Sequence, residues 1–192
     1  MRITLISDHL LQYSRRNRGF TLVELMITIG VAGILLSFAV PTFLDVVKNN
    51  RLRTDTATFA GALNLARSEA IRRSQQVSVC ISSNGTSCIT SGGWEQGWLV
   101  FADVDQDEEV DTAADIIRVF RPLAPGVTLR TTATFDDYIS YNATGVSQGA
   151  AVGNGTFRVC DDRGVPRAYG VIVNITGRVR TTTVDAEVGS CP

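Results

Sequence analysis

Histidine and lysine are almost missing from this sequence. The only histidine is His9, and Lys48 is the only lysine among the 18 basic residues. From Phe20 onward the chain therefore has no imidazole, which excludes histidine-based acid–base catalysis, Ser-His and Cys-His nucleophilic pairs and histidine metal sites. The sequence also lacks a glycine-rich loop of the kind that binds phosphate. We therefore expect a protein that is not an enzyme and that needs no cofactor.

The cysteines are few and none of them forms a CxxC pair. The four are Cys80, Cys88, Cys160 and Cys191. A zinc site would need four scattered thiolates, so no metal site is predicted from them. An even number of cysteines in a domain outside the cytoplasm is typical of disulfides. Local pairing, Cys80–Cys88 and Cys160–Cys191, is favoured, although four cysteines allow three connectivities.

One long apolar run follows a short basic segment. Three arginines lie within residues 15–18, and residues 20–40 contain a single charge, Glu24. A helix of this length spans roughly 30 Å, the thickness of a bilayer core. We predict a membrane helix whose basic N-terminal end stays cytoplasmic, with the rest of the chain on the far side. A secretory signal peptide is the alternative, but residues 38–41 form a poor cleavage site.

Glu24 is unusual because a carboxylate inside an apolar span is costly and is a functional candidate by default. The segment GFTLVE at residues 19–24, behind a basic leader, resembles the processing site of type IV pilins and type II secretion pseudopilins. The resemblance implies that prepilin peptidase cuts after Gly19 and that the new Phe20 amine is methylated. It also implies that Glu24 pairs with the terminal amine of a neighbouring subunit. The alternative is that Glu24 reaches the lipid headgroups.

The periodicity changes twice beyond Pro41. Apolar residues recur near helical spacing until about residues 73–76, so an amphipathic helix is predicted. Short β-prone runs separated by turn residues follow, at 77–82, 98–102, 116–121, 127–131, 138–141, 156–160, 169–175 and 178–184. With the resemblance, these patterns predict an α+β, type IV pilin-like fold, in which a long N-terminal α-helix packs on a C-terminal antiparallel β domain. Its expected segments are a leader peptide (1–19), a transmembrane or filament-core helix (20–40), an amphipathic helix (41–76) and a β-rich globular domain (77–192).

Two further segments indicate one branch of this family. NLARSEAIR at residues 64–72 and GWEQGWLVF at residues 93–101 resemble the signature segments of GspH and FimT/FimU proteins. The resemblance implies a minor pilin or minor pseudopilin that assembles with other major and minor pilins. Such a protein sits in the inner membrane with a periplasmic C-terminal domain, and later in a pilus at the cell surface. Trp94 and Trp98 could form a binding platform, but their spacing across a glycine favours a turn that covers the core.

The acidic stretch that follows superficially resembles a calcium loop. Its aspartates are Asp103, Asp105, Asp107 and Asp111. Position six of such a loop should be glycine and position twelve glutamate, but these positions are Glu108 and Ala114. We therefore predict a solvated acidic loop and no metal site.

Arginines are concentrated near the C-terminus. In the sequence Gly177-Arg178-Val179-Arg180, strand alternation would place Arg178 and Arg180 on one face, ~7 Å apart, which suits two neighbouring phosphates. Three more arginines lie upstream: Arg158, Arg163 and Arg167. This local positive charge contrasts with the chain from Phe20 onward, which has 14 basic and 18 acidic residues.

A GRxR sequence in this place resembles the DNA-binding tail of FimT proteins from naturally competent bacteria. The resemblance implies a minor pilin that captures extracellular double-stranded DNA for natural transformation, through nonspecific contacts to phosphates. Two other functions stay open: a structural, FimU-like minor pilin that primes pilus assembly, and a type II secretion pseudopilin. The alternative interpretation of the motif is an exposed strand edge that carries arginines for solubility.

Overall fold

The computed structural model of the chain describes residues 19–131, 133–149, 154–183 and 191. These residues belong to two units, of which the first extends to Leu44 and the second begins at Asp45. Apart from Gly19, the predicted leader lies outside the described residues.

One helix, α1 (Leu22–Arg73), begins in the first unit and ends in the second. Thr21 caps its first turn, because the Glu24 backbone N–H donates to Thr21 Oγ1 at 3.1 Å. The helix continues through Pro41 and ends at Arg73, within the predicted range. Ser74 follows with a φ of 55°, a left-handed conformation that often terminates helices.

The part of α1 in the first unit is apolar and exposed on all sides. Its large hydrophobic side chains, from Phe20 to Leu44, are 51–80% exposed. Among the described residues, α1 is the one helix long and apolar enough to cross a membrane. A helix with this surface requires lipid or other apolar helices around it.

The second unit contains two antiparallel sheets. The first has the strand order β3-β2-β1-β5-β6, with β1 Val77–Ile81, β2 Trp98–Ala102, β3 Ile116–Phe120, β5 Tyr138–Tyr141 and β6 Ser147–Gln148. The second has the order β4-β7-β8-β9, with β4 Thr128–Thr131, β7 Gly155–Cys160, β8 Tyr169–Val173 and β9 Val179–Thr182. Predicted strands 98–102 and 138–141 have the observed bounds, and the other six differ by one or two residues at one or both ends. Residue 184, the predicted end of the last strand, lies outside the described residues. Among the strands in the described part of the chain, only β6 is unpredicted, because two residues are too few to show alternation.

The C-terminal half of α1 presents one buried face to these sheets. Residues on this face recur at helical spacing: Leu52, Phe59, Leu63, Ala66 and Ala70. The small alanines let the helix approach the strands closely. The main core therefore forms between the helix and the two sheets.

Phe59 lies at the centre of this core and is fully buried. Its ring centroid lies 5.4 Å from that of Trp94, 5.0 Å from that of Trp98 and 4.7 Å from that of Phe157, each in edge-on geometry. Trp98 belongs to the first sheet and Phe157 to the second, so Phe59 contacts both. Trp94 and Trp98 are each 1% exposed, which confirms the prediction that they cover the core.

Two disulfides close loops next to the sheets. Cys80 in β1 is bonded to Cys88, and Cys160 at the end of β7 is bonded to Cys191. These are the two local pairs that the sequence favours. The second bridge attaches residue 191 to the second sheet.

Replacing Phe59 by alanine should lower the free energy of unfolding by about 3–5 kcal/mol, because it leaves a cavity among three aromatic rings. Chemical denaturation of a fragment spanning residues 45–192 would measure this change. Val119, which is 46% exposed in β3, provides the control. Val119→Ala should change the free energy by about 0.5 kcal/mol or less. Equal effects of the two substitutions would contradict the central role of Phe59.

Candidate functional site

The residues of the predicted processing site lie at the start of α1. Gly19 and Phe20 precede the helix, and Phe20 is 80% exposed. Glu24 is exposed in the first turn and is the only charged residue among residues 20–40. The geometry leaves both the Gly19–Phe20 bond and the Glu24 carboxylate accessible. The pairing of Glu24 with a neighbouring subunit stays a prediction.

The GRxR sequence lies in the β8–β9 hairpin. The Asn174 backbone N–H donates to the Arg178 carbonyl oxygen at 3.0 Å, and the Gly177 N–H donates to the Asn174 carbonyl oxygen at 2.7 Å. Gly177 has a φ of 77°, and a Cβ there would lie 1.9 Å from the Gly145 carbonyl oxygen. Gly177 is therefore required by the turn and by the close approach of another loop.

Arg178 and Arg180 are exposed, whereas Val179 between them is half-buried against the main core. This is the distribution that strand alternation predicts for the three residues. Strand β9 begins at Val179, so Arg178 occupies the last position of the turn and Arg180 the second position of the strand.

The strand register places Arg158 on the same face of the second sheet as Arg180. Arg158 in β7 is opposite Gly170 in β8, and Arg180 in β9 is opposite Ile172, two residues further along β8. Residues two apart in a strand share a face, and directly opposed residues do too. Arg130 in β4, opposite Arg158, belongs to the same row. This face is the one that points away from the main core.

Arg67 of α1 holds the arginine hairpin in place. Its Nε donates to the Gly145 carbonyl oxygen at 3.0 Å, and its Nη2 donates to the Thr176 carbonyl oxygen at 3.1 Å. One guanidinium thus connects the helix, the loop at Gly145 and the β8–β9 turn. The sequence predicts Arg67 only on a polar helix face, since backbone carbonyl partners far along the chain leave no local pattern.

Arg163 is paired with two carboxylates, whereas its predicted role in DNA binding requires an available guanidinium. Its Nη2 lies 2.7 Å from Asp161 Oδ2 and its Nη1 lies 3.3 Å from Asp45 Oδ1. The Arg163 side chain is 15% exposed and that of Asp161 is 7% exposed. Burial raises the pKa of Asp161, but hydrogen bonds from the Arg163 side chain and backbone outweigh it and bring the pKa below its ordinary value. The structure therefore favours a structural role for Arg163.

The neighbouring charged residues Asp162 and Arg167 are more exposed than Arg163 and Asp161. Lys48 Nζ lies 2.7 Å from Asp162 Oδ2, so both carboxylates of the segment, Asp161 and Asp162, are engaged. Arg167 is exposed at the end of the 3-10 turn Val165–Arg167. The structure thus leaves Arg167 at the surface while it commits Arg163 to an internal ion pair.

The acidic loop after β2 is only partly solvated. Asp105 and Asp107 are exposed, but Asp103 is 2% exposed. Asp103 Oδ2 accepts hydrogen bonds from Gln76 Nε2 at 3.0 Å and from Ser78 Oγ at 2.5 Å. The prediction of a solvated loop is therefore wrong for Asp103. The reason is that Asp103 directly follows a fully buried strand, beside the polar groups at the start of β1.

Comparison with known families identifies this arrangement. Residues 55–177 match the family described as type II transport protein GspH, and residues 14–40 match the prokaryotic N-terminal methylation motif. The chain belongs to the GspH family. This family comprises minor type IV pilins and pseudopilins, which are structural proteins, so the family confirms that the chain is not an enzyme. The GspH match covers the second half of α1 and most of both sheets, including Gly177.

Two curated relatives of this GspH-family chain are a pilin-like protein and a type IV major pilin. It is 33% identical over 96 residues to the pilin-like protein PilA1 of Thermus thermophilus, covering 49% of this chain and 53% of the relative. It is 31% identical over 105 residues to the type IV major pilin protein PilA of Myxococcus xanthus, covering 55% of this chain and 46% of the relative. The chain spans about half the length of the curated relatives that it matches.

A solved structure shares the fold. The type IV minor pilin FimU of Pseudomonas aeruginosa aligns with a TM-score of 0.59 and 16% identity, covering 77% of this chain and 99% of FimU. The predicted type IV pilin-like fold is confirmed by this likeness. The methylation motif and the apolar helix of the GspH-family chain indicate anchoring in a membrane.

Replacing Asp161 by asparagine should lower the free energy of unfolding by about 2 kcal/mol near neutral pH, because it breaks a charged hydrogen-bonded pair. The folded-state pKa of Asp161 lies below its unfolded value of about 3.9, so this stabilisation is present above that pH. It should be lost as the pH falls through the lower folded pKa. Denaturation of wild type and variant from pH 7 to pH 2.5 would test this expectation.

Asp162 is the matched control, since its side chain is 68% exposed in its pair with Lys48. Asp162→Asn should change the free energy of unfolding by about 0.5 kcal/mol or less at every pH. A difference between wild type and Asp161→Asn that did not shrink in acid would contradict the assignment.

Proposed function

We propose that this GspH-family chain is a minor pilin that binds extracellular double-stranded DNA nonspecifically, for natural transformation. The observation that best supports this function is the exposure of Arg178 and Arg180 on either side of the core-facing Val179. This arrangement presents two guanidinium groups along one edge of the second sheet.

The geometry suits a phosphate backbone. Side chains two residues apart in a strand are separated by ~7 Å, which is close to the distance between successive phosphates on one strand. Arginine contributes a planar fork that forms two hydrogen bonds to one phosphate. Contacts of this kind do not depend on base sequence, so binding should be nonspecific and sensitive to salt.

The hairpin is also held in position before any ligand arrives. Arg67 donates to the Thr176 carbonyl oxygen in the turn and to the Gly145 carbonyl oxygen in a neighbouring loop, and Val179, the first residue of β9, packs against the core. A pre-positioned hairpin loses less conformational entropy on binding. This rigidity favours a contact surface over arginines that merely keep the protein soluble.

Two other arginines extend the proposed surface. Arg158 lies on the same face of the sheet as Arg180, and Arg167 is exposed near the start of β8. Arg163 is left out of the binding surface because its guanidinium is paired with Asp161 and Asp45. Gly177 acts through the turn conformation and not as a ligand for phosphate.

Binding of the fragment 45–192 to duplex DNA of mixed sequence tests this function. We expect wild type to bind with an affinity that falls steeply with salt, and the variant Arg178→Gln/Arg180→Gln to bind at least tenfold more weakly. The slope of log K against log salt should become shallower by about 2, because each phosphate contact contributes about 0.9.

A charge-matched variant separates a site from a general charge effect. Arg118 and Arg121 are exposed at β3 in the other sheet, so Arg118→Gln/Arg121→Gln removes the same charge elsewhere. This variant should bind DNA almost as wild type does. The DNA function is wrong if wild type fails to bind at moderate salt or if both double variants weaken binding equally.

We also propose that the N-terminal segment is processed and used as in other pilins. Prepilin peptidase would remove the leader, residues 1–19, and methylate Phe20, leaving residues 20–40 as the membrane and filament-core helix. The basic flank before this helix favours a periplasmic location for the C-terminal domain before assembly. Glu24 would pair with the Phe20 amine of the neighbouring subunit, since a buried carboxylate needs a partner.

Expression with prepilin peptidase should yield a chain that begins at Phe20 and carries one added methyl group, as measured by mass spectrometry. The variant Glu24→Gln should still be cleaved but should enter sheared pili at least tenfold less than wild type, because the buried amine loses its counter-charge. Thr28→Val is the control on the same helix, since Thr28 Oγ1 bonds within the helix to the Leu25 carbonyl oxygen. Equal incorporation of both variants would contradict the pairing.

A structural role without DNA binding is the second candidate function. The fold likeness to the minor pilin FimU and the match to the GspH family are compatible with priming of pilus assembly or with a type II secretion pseudopilin. Deletion distinguishes these functions. Loss of pili supports the priming role, loss of exoprotein secretion supports the pseudopilin, and loss of DNA uptake with pili intact supports the DNA receptor.

A further inference from the structure

We propose that the acidic loop between β2 and β3 binds one Ca²⁺ ion through the carboxylates of Asp103, Asp105 and Asp107. The site lies beside the first sheet, whereas the arginine hairpin lies in the second. Ca²⁺ binding at this loop is therefore independent of DNA binding at the arginine hairpin.

The three carboxylates are close enough to share one ion. One oxygen from each of Asp103, Asp105 and Asp107 lies within 4.8 Å of the other two. Oxygens that bind the same Ca²⁺ ion at 2.3–2.6 Å can be at most about 5 Å apart. The observed spacing is therefore compatible with direct coordination by all three.

Asp103 has a buried carboxylate oxygen without a hydrogen-bond partner among the described residues, which is an independent indication of a bound cation. The residue is 2% exposed, and its Oδ2 is held by Gln76 and Ser78. Its Oδ1 is buried and has no hydrogen-bond partner among the described residues. Buried carboxylate oxygens are costly unless they are hydrogen-bonded or coordinated to a metal. A cation would give Oδ1 the partner that the protein does not supply.

The charge of the loop also favours a cation. Seven acidic residues precede the next basic residue, Arg118, and they are Asp103, Asp105, Asp107, Glu108, Glu109, Asp111 and Asp115. No salt bridge among the described residues includes any of them. Repulsion between these carboxylates raises the pKa of Asp111, and the charge of Asp105 is the main cause. A bound divalent ion would cancel much of this repulsion.

The backbone of the loop makes the required turn although position six is not glycine. In an EF-hand loop, glycine at position six provides a sharp turn. Here Glu108 occupies that position and has a φ of 63°, and Gln106 has a φ of 66°, so the loop turns without glycine. Position twelve is Ala114, and the site therefore lacks the bidentate glutamate of an EF-hand. We expect weaker binding, with a Kd of about 10⁻⁴–10⁻³ M.

The chemistry favours Ca²⁺ over Mg²⁺. All of the donors are oxygens, which suits both ions, but Mg²⁺ requires near-ideal octahedral geometry at 2.0–2.1 Å and gives up water reluctantly. A surface loop with one fixed aspartate and two exposed aspartates provides a looser set of ligands. Such a site fits the larger ion with its variable coordination.

The full chain in detergent micelles, treated with a chelator and then dialysed, provides the test. Isothermal titration calorimetry with CaCl₂ should show one ion per chain, with at least tenfold weaker binding of MgCl₂. The melting temperature should rise on addition of about 10 mM Ca²⁺, because the ion binds the folded loop. Absence of both signals, or equal affinity for Mg²⁺, would overturn the proposal.

Two charge-matched variants locate the site. Asp105→Asn/Asp107→Asn should weaken Ca²⁺ binding at least tenfold and abolish the rise in melting temperature. Without Ca²⁺ this variant should melt at or above the wild-type temperature, since it removes like-charge repulsion and both side chains are exposed. Glu109→Gln/Asp136→Asn removes the same charge at exposed positions outside the trio and should bind Ca²⁺ as wild type does. Equal binding by both variants would show that the ion, if bound, lies elsewhere.

Discussion

The packing of Phe59 against aromatic rings from both sheets is the contact on which the rest of the second unit depends. Trp98 fixes the first sheet against this ring, and Phe157 fixes the second. The hydrophobic effect depends on how much apolar surface is buried and not on its orientation. Edge-on contacts between aromatic rings have a preferred orientation, so they give the core a defined geometry. The arginine hairpin and the acidic loop extend from different sheets, so their positions in the unit both follow from this arrangement.

The same helix serves two environments. Up to Leu44 its side chains are apolar and exposed, and they suit lipid or neighbouring apolar helices. From Leu52 to Ala70 one face is buried by the protein's own sheets. Under the proposed function, this division would let one continuous segment leave a membrane and enter a filament while the globular part keeps its core. It also agrees with the separate matches of the methylation motif and the GspH family to the two parts of the chain.

Most of the fold was predictable because strand alternation and turn residues are local signals. Eight of the nine strands that the structure describes, the end of α1 and the core role of Trp94 and Trp98 follow from them. The candidate site was predictable only in part. The exposure of Arg178 and Arg180 follows from period-two alternation, but the Arg67 contacts, the Arg163 ion pairs and the burial of Asp103 do not. Each of these depends on groups that tertiary structure brings together from distant parts of the chain.

The way in which Arg67 holds the β8–β9 turn has a consequence for evolution. Its guanidinium binds carbonyl oxygens of Gly145 and Thr176, which every residue type provides. Substitutions at the exposed positions of the turn and of β9 therefore leave this support intact, as long as Gly177 is kept. A single scaffold can thus carry different surface chemistry on the same hairpin. Divergence among members of this family would then need only a few exposed substitutions.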